Sequence, residues 1–454
     1  MENLLTLVDS ANNVLWNVIL IVLLCGTGVY YTIRLKFIQI RKFPEGLKHV
    51  FGNLSLNGEK GNNGEMTPFQ SVATAIAAQV GTGNLAGAAT ALVGGGPGAI
   101  FWMWLSAFFG MATIYAEAIM AQKYKTVGAD GQVTGGPVYY IRAAFKGTFG
   151  KVLAGIFAIL ITLALGFMGN AVQSNSIAAS FHTAFGIPQW IMGLVVAVIA
   201  IFVFMGGMKR IAKVTETIVP FMAALYIVGA LIVIIYNYKN IPYAFASIFI
   251  GAFSPSSVVG GAAGATVKLA LTKGVARGLF SNEAGMGSTP HGHAVAKVDH
   301  PVEQGFVAMT GVFIDTFVVL NLTALVILTT KSIPSGKTGA ELSQYAFSTL
   351  YGKGGNIFIA ICMFFFAFST IIGWYFFGQA NVKYLFGPKA VKIYSVLAAV
   401  CVFLGSLAEV DLVWNMADCF NSLMVIPNIL ALFALSKVIS QVHKDYFKNF
   451  NKAK

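Results

Sequence analysis

The sequence predicts an all-α membrane protein of eleven transmembrane helices. One extra N-terminal helix precedes two five-helix repeats of opposite topology, in which the first and sixth core helices are broken. Three observations carry this prediction. Of the 454 residues, 57% are hydrophobic and 10% charged, against about 25% charged in soluble domains. Apolar stretches of about 20 residues, the length that crosses a bilayer, recur from one end of the chain to the other. Two of these stretches, five spans apart, are interrupted by small and polar residues and match at three positions of four: Asn84-Leu85-Ala86-Gly87 and Asn282-Glu283-Ala284-Gly285.

Taken in order, the spans fall at 13–33, 66–92, 97–121, 150–181, 188–207, 212–237, 262–290, 302–329, 354–381, 390–408 and 411–436. The opening one reads as a retained span, because Met1 to Ser10 carries Glu2 and Asp9 but no Lys or Arg, unlike a secretory signal. It stands apart behind a Gly/Asn-rich loop with Arg34, Lys36, Arg41, Lys42, Lys48 and Lys60. The other ten spans divide into repeats 66–237 and 262–436 of one transmembrane domain, and because five is odd the halves are inverted. Gly94-Gly95-Gly96-Pro97-Gly98 is a tight reversal; 135–146, with Arg142 and Lys146, and 242–252 read as interfacial helices.

Orientation follows from Lys and Arg. One set of loops takes the 34–60 cluster, Lys123, Lys125, Lys151, Lys209, Arg210, Lys213, Lys297, Lys383, Lys389, Lys392 and the C-terminal lysines. The opposite set has Lys239, Lys331, Lys337 and Lys353. The N-terminus is therefore expected outside the cell membrane and the C-terminus in the cytoplasm. Topology also accounts for the net charge of +13, so no nucleic-acid partner is implied. Cys25, Cys362, Cys401 and Cys419 lie inside spans without paired spacing, which argues against a disulfide framework or a zinc site.

The first interruption runs from Gln79 to Gly87. Each glycine there disfavours a helix by roughly 1 kcal/mol relative to alanine, and a broken helix survives in hydrocarbon only where its freed backbone lines an enclosed space. The stretch is either a close packing face of small residues or one half of a binding site. Its echo at Asn282, which follows Gly278-Leu279-Phe280-Ser281, favours the site. Amides at the start of a half-helix suit a carboxylate, and the carbonyls before them suit an ammonium group or Na⁺. Two facing breaks can thus hold a zwitterion, and an α-amino acid is the obvious ligand.

The candidate residues follow from that geometry. Gly81, Thr82, Gly83 and Asn84 belong to the first break; Phe280, Ser281 and Asn282 belong to the second. Asn170 and Gln173 share a helical face with Phe167 one turn earlier; that face either meets the ligand or makes an inter-helix hydrogen bond. Ser369 and Thr370 offer hydroxyls at mid-membrane, for Na⁺ or for back-bonding to the preceding turn, and Trp374 is deep enough to wall a cavity. Asp315, Asp418 and Glu283 are functional candidates as intramembrane acids, with Glu283 expected to pair with Arg277. Glu117 and Glu216 read as ion-pair or gate residues near the cytoplasmic ends, and His291 and His293 as solvated loop residues. No metalloprotease, nucleophile-elbow or Walker motif occurs, so an enzyme is disfavoured. An ion-conducting channel or sensor is the competing reading from another class.

Residues 94–110, GGGPGAIFWMWLSAFFG, resemble the signature of the alanine or glycine:cation symporter family. Ala116-Glu117, Tyr124-Lys125 and residues 281–288 fit it too, and the likeness covers essentially the whole chain. The resemblance implies the LeuT-type inverted-repeat fold of the amino acid–polyamine–cation superfamily. It also implies Na⁺-coupled, sometimes H⁺-coupled, uptake of alanine or glycine, with no cofactor beyond the coupling ion and no obligate protein partner. Val80-Gly81-Thr82-Gly83-Asn84 further resembles the V-G-x-G-N break of the neurotransmitter:sodium symporters. That likeness implies Gly81 and Gly83 amides for the substrate carboxylate and Asn84 beside a sodium. It also implies a sodium site built from the carbonyls of Ala77 and Val80 with the hydroxyls of Ser369 and Thr370. Gln79 departs from the small residue found there, so its amide is expected to fill the space of a substrate-adjacent sodium and contact the ligand. With Gln79, Phe167, Asn170, Phe280 and Trp374 around it, the pocket is expected to admit little beyond a methyl group.

Overall fold

A computed structural model describes residues 12, 15–52, 66–128, 130–254 and 267–450. Glu2, Asp9, Lys60, the start of the 262–290 span, Lys452 and Lys454 lie outside them. The described chain is almost entirely helical, as apolar backbone in a bilayer must be, because a helix satisfies its own N–H and C=O groups. In chain order the main helices are α1 (Ile21–Arg34), α2 (Phe43–Phe51), α3 (Pro68–Gln79), α4 (Gly83–Gly95) and α5 (Gly98–Lys123). They continue with α6 (Pro137–Ala144), α7 (Gly147–Phe185), α8 (Gln189–Met205), α9 (Gly207–Tyr236) and α10 (Ile241–Phe253). The second half contains α11 (Val267–Asn282), α12 (Pro290–Ala294), α13 (Pro301–Thr329), α14 (Gly339–Tyr351) and α15 (Lys353–Phe386). It closes with α16 (Ala390–Leu407), α17 (Val410–Ala434) and α18 (Ser436–Asp445). A two-stranded hairpin, Thr126–Val127 with Val133–Thr134, joins α5 to α6.

Among the described residues, α5, α7, α9, α13, α15, α16 and most of α17 are long and apolar enough to cross a membrane, and α3 with α4, bent by 43°, forms an eighth such unit. The expected eleven exceed this for physical reasons. The helices α1 and α8 are apolar but short, and α11 has 16 residues diluted by Lys268, Lys273 and Arg277. The expected 135–146 helix is present as α6, but it is not simply interfacial: Pro137, Val138, Tyr140 and Ile141 are buried in the protein.

Small residues set how closely these helices pack. The helix α5 runs through the middle of the molecule, where a Cβ on Gly110 would stand 2.8 Å from Ala284 Cβ and one on Gly98 would strike the α10 backbone at Gly251. Lipid-directed apolar side chains such as Val198 and Phe202 on α8 and Ile393 and Leu404 on α16 lie on the outside. The interior therefore holds the polar groups, concentrated where α3–α4 and α11–α12 break.

Candidate functional site at the two helix breaks

The helix α3 starts from a reciprocal cap, in which Thr67 Oγ1 accepts from the Gln70 N–H and Gln70 Oε1 from the Thr67 N–H, with Pro68 at the first helical position. It ends at Gln79, where Val80 leaves the helix at φ −85°, ψ 87°. The glycines that follow allow close approach. A Cβ on Gly81 would collide with Thr370 Oγ1, and one on Gly83 would stand 3.0 Å from Ser281 Cβ. The two breaks therefore touch, and α15 touches the first. The freed amides meet side-chain oxygens: Gly81 N–H donates to Asn84 Oδ1 at 3.0 Å and Thr82 N–H to Gln173 Oε1 at 3.2 Å.

Asn84 ties this break to the second repeat. Its Nδ2 donates to Asp315 Oδ1 at 2.7 Å and to the Asp315 carbonyl at 3.1 Å. Asp315 also accepts from Ser281 Oγ and Thr316 Oγ1, both at 2.9 Å. It lies in a π-helical stretch of α13, Phe313–Leu320, a local widening that is frequent at functional sites. Gln79 Nε2 donates to the Asn282 carbonyl at 2.8 Å, and Asn282 Nδ2 to Thr316 Oγ1 at 3.2 Å. Gln79, Asn84, Ser281, Asn282 and Asp315 thus form one buried polar network.

The four oxygens expected to hold sodium also converge. Thr370 Oγ1 is 2.8 Å from the Ala77 carbonyl and 3.5 Å from the Val80 carbonyl, and Ser369 Oγ is 3.5 Å from the Ala77 carbonyl. Both hydroxyls also donate to Phe366 O, at 2.9 and 3.1 Å, so back-bonding and convergence on α3 occur together. Hard, neutral oxygens of this kind suit Na⁺. Among the described residues no three His, Cys, Asp or Glu side chains gather around a possible metal position.

The second break is built differently. Glu283, Gly285 and Gly287 take left-handed backbone, at φ 57°, 86° and 80°. Glu117 of α5 binds the loop through both oxygens, accepting from the N–H groups of Gly287 and Gly285 at 2.9 Å each and from Asn428 Nδ2 at 2.6 Å. Tyr140 of α6 donates to Asn428 Oδ1 at 2.5 Å, which explains why α6 is drawn into the interior.

Several expectations are corrected here. Glu117 is a fully buried loop anchor, not a gate residue in an ion pair, because unpaired amides supply its partners. Glu283 does not meet Arg277; it accepts from Ser288 Oγ at 2.5 Å and from the indole N–H of Trp374. Arg277 instead makes a two-pronged pair with Asp418, at 3.1 and 3.3 Å, and lies over Trp414. His291 and His293 are buried, since α12 folds back into the protein. Their ring nitrogens face Ser288 O, Asn381 and Gln304. Glu216 keeps its expected setting, near Lys213 and accepting from Gln70.

The remaining candidates separate. Trp374 lies on Gly169 and meets Phe280 edge-on, with ring centroids 6.0 Å apart. Asn170 donates to the Gly166 carbonyl of its own helix, while its Oδ1 and Thr82 Oγ1 are buried without a partner. Phe167 packs against Tyr394 instead of joining the network. Gln173 accepts from the Thr82 amide, and Asp315 stands at the centre of the network. For Asp315 the signal was present, as an acid in the middle of an apolar span.

Helices broken in pairs inside a helical membrane domain define a fold class, and solved structures of membrane transporters share this fold. The structure of MhsT in complex with L-phenylalanine superposes with a TM-score of 0.58 at 15% identity, covering 85% of this chain and 99% of that one. A manganese transporter from Eremococcus coleocola gives a TM-score of 0.53 at 14% identity, over 86% and 82% of the two chains. The chain belongs to the sodium:alanine symporter family, whose model matches residues 1–454. It is 42% identical to the sodium/alanine symporter AgcS of Methanococcus maripaludis, over 98% of this chain and 99% of that one. It is 41% identical to the probable sodium/glutamine symporter GlnT of Bacillus subtilis, over 97% and 90%. It is a membrane transporter of a sodium-coupled family, not an enzyme.

Proposed function

We propose that the protein imports a small neutral amino acid, alanine or glycine, together with Na⁺, by alternating access around the two breaks. The observation that carries this reading is the convergence of the Ala77 and Val80 carbonyls with Ser369 and Thr370, directly before the break amides of Gly81 and Thr82. An ion bound there would hold α3 against α15 and so fix the amides that receive the substrate carboxylate. Each ligand should then raise the other's affinity. Gly81, Thr82, Gly83 and Asn84 face the substrate from one side, and Phe280, Ser281, Asn282 and Trp374 from the other. Gln79 and Asn170 border the same space. The tight contacts of Gly81 and Gly83 with Thr370 and Ser281 favour a methyl-sized side chain over a larger one.

In this reading α1, α8 and α11 also cross the membrane, which makes eleven spans. Repeats 66–237 and 262–436 are inverted copies, and the N-terminus lies outside with the C-terminus in the cytoplasm. Proton coupling is the second reading, favoured by Asp315 and Glu283, buried acids that accept from neutral donors. Uptake of labelled alanine and glycine into proteoliposomes under an imposed Na⁺ or H⁺ gradient separates the two. Saturable accumulation driven by Na⁺ supports the first and accumulation driven by H⁺ alone the second. Non-saturating flux with neither gradient would sink both in favour of a channel.

A further inference from the structure

At the Lys- and Arg-rich end of the molecule, the end of α1, the single turn Ile38–Arg41 and α18 with the turn after it enclose a cavity of 510 Å³. Arg34, Lys36, Arg41, His443, Lys444 and Lys448 line it, and among the described residues no carboxylate does. Among the described residues Glu45 pairs with Lys42, and Asp445 with His300 and Asn449. Segments some four hundred positions apart in sequence therefore bring five permanent cations around one concavity.

The side chains are positioned, not merely crowded. Arg34 Nε donates to Ser440 Oγ at 2.8 Å and to the Ser436 carbonyl at 3.2 Å, which pins its guanidinium between α1 and α18. His443 makes a 2.9 Å contact from Nδ1 to the buried Tyr115 hydroxyl. Burial first, and then Arg41, Lys42 and Lys444, push its imidazole down to about 4. Like charges held around a concave space attract an anion.

The rim identifies the anion's carrier. Ile33, Phe37 and Ile40, each next in sequence to a lining residue (Arg34, Lys36 and Arg41), are 64%, 46% and 60% exposed. Lys36 and Phe37 both adopt left-handed backbone, at φ 55°, and the resulting reversal alternates basic and apolar side chains along one edge. Such a pattern belongs where hydrocarbon meets the headgroup layer. We propose that this groove binds the phosphate of an anionic phospholipid headgroup, with Ile33, Phe37 and Ile40 against its acyl chains. A soluble phosphate would satisfy the cations but leave the apolar edge in water. The site lies apart from the helix breaks and does not depend on which solute is transported.

Detergent-purified full-length protein titrated with phosphatidylglycerol, phosphatidylcholine or inorganic phosphate provides the test, with bound lipid counted by native mass spectrometry and folding followed by thermal unfolding. Phosphatidylglycerol is expected to bind in preference to phosphatidylcholine. The Arg41→Gln/Lys444→Gln variant should lose about 30-fold in that affinity, since each cation near a headgroup contributes roughly fivefold. Charge-retaining Arg41→Lys/Lys444→Arg should restore it, and Lys331→Gln/Lys353→Gln at the opposite end should leave it unchanged. Equal binding of the two lipids, undiminished binding by a folded Arg41→Gln/Lys444→Gln variant, or equal protection by inorganic phosphate would overturn the proposal.

Discussion

The two helix breaks match at three residues of a tetrad but are held by different chemistry. The first stays in ordinary backbone space, at φ −85° for Val80 and −59° for Thr82, and uses glycine for clearance. The second turns through three left-handed residues and uses glycine for conformation. Neutral amide oxygens from Asn84 and Gln173 hold the first; the Glu117 carboxylate holds the second. Bonds to an ionised acceptor are about twice as strong as neutral ones. Under the proposed function, a substrate carboxylate can displace neutral acceptors at the first break, whereas the second already holds a carboxylate supplied by the protein. One break is a receptor and the other a fixed wall.

Removing that internal carboxylate should produce the largest effect. Glu117→Ala leaves the amides of Gly285 and Gly287 and the Asn428 Nδ2 buried without their acceptor, at about 1–3 kcal/mol for each group. The purified variant should unfold many degrees earlier or fail to stay monodisperse. Glu117→Gln, which keeps one oxygen, should recover part of the loss. Wild-type unfolding of the alanine variant would show that the second break is not held by this carboxylate.

The contrast in glycine use comes next. Gly83→Val inserts side-chain atoms against Ser281, where the substrate is proposed to bind, and should weaken alanine uptake ten- to a hundredfold, about 1.4 kcal/mol per factor of ten, in a variant that still folds. Gly285→Ala, at φ 86°, should instead lower stability. If Gly83→Val unfolds earlier and Gly285→Ala is benign, the roles assigned to the two breaks are reversed.

Ser369→Ala and Thr370→Ala probe the ion side of the first break. Each removes one oxygen that converges on the Ala77 carbonyl. An interaction with an ion of about 1.5 kcal/mol corresponds to roughly a tenfold rise in half-saturating Na⁺ for each variant. Alanine affinity should fall with it through coupling. An unchanged Na⁺ response would leave these hydroxyls with only their structural bonds to the Phe366 and Ala77 carbonyls.

What the sequence made legible were features that announce themselves locally. The glycine interruption at Gly81 and Gly83, the Asn282 echo and the paired hydroxyls of Ser369 and Thr370 could each be recognised from residue type and place in a span, and the structure brings them together. Contacts between distant spans could not be recognised in this way. Nothing local tells Glu117 that its partners are amides 168 and 170 positions away, or Arg277 that Asp418 lies closer than Glu283. His291 and His293 looked solvated because α12 was too short to be recognised as a helix that folds inward. Of the charges that dilute α11, Arg277 meets Asp418 141 positions away, a pairing that residue type alone does not announce.

The smallest effect belongs to Thr82, and it is informative because its sign differs between readings. Thr82 Oγ1 is buried without a hydrogen-bond partner, one residue from the Gly81 amide. An orphaned hydroxyl that serves only packing should be replaceable by its isostere, and Thr82→Val would then be neutral or stabilising, by up to about 1 kcal/mol, with unchanged uptake. If the hydroxyl is instead reserved for the ligand, the same variant should keep or gain stability while KM for alanine rises by about five- to tenfold, the worth of one hydrogen bond. Measuring unfolding temperature and KM on one preparation separates these outcomes. Only the second is compatible with a first break whose polar groups wait for a substrate.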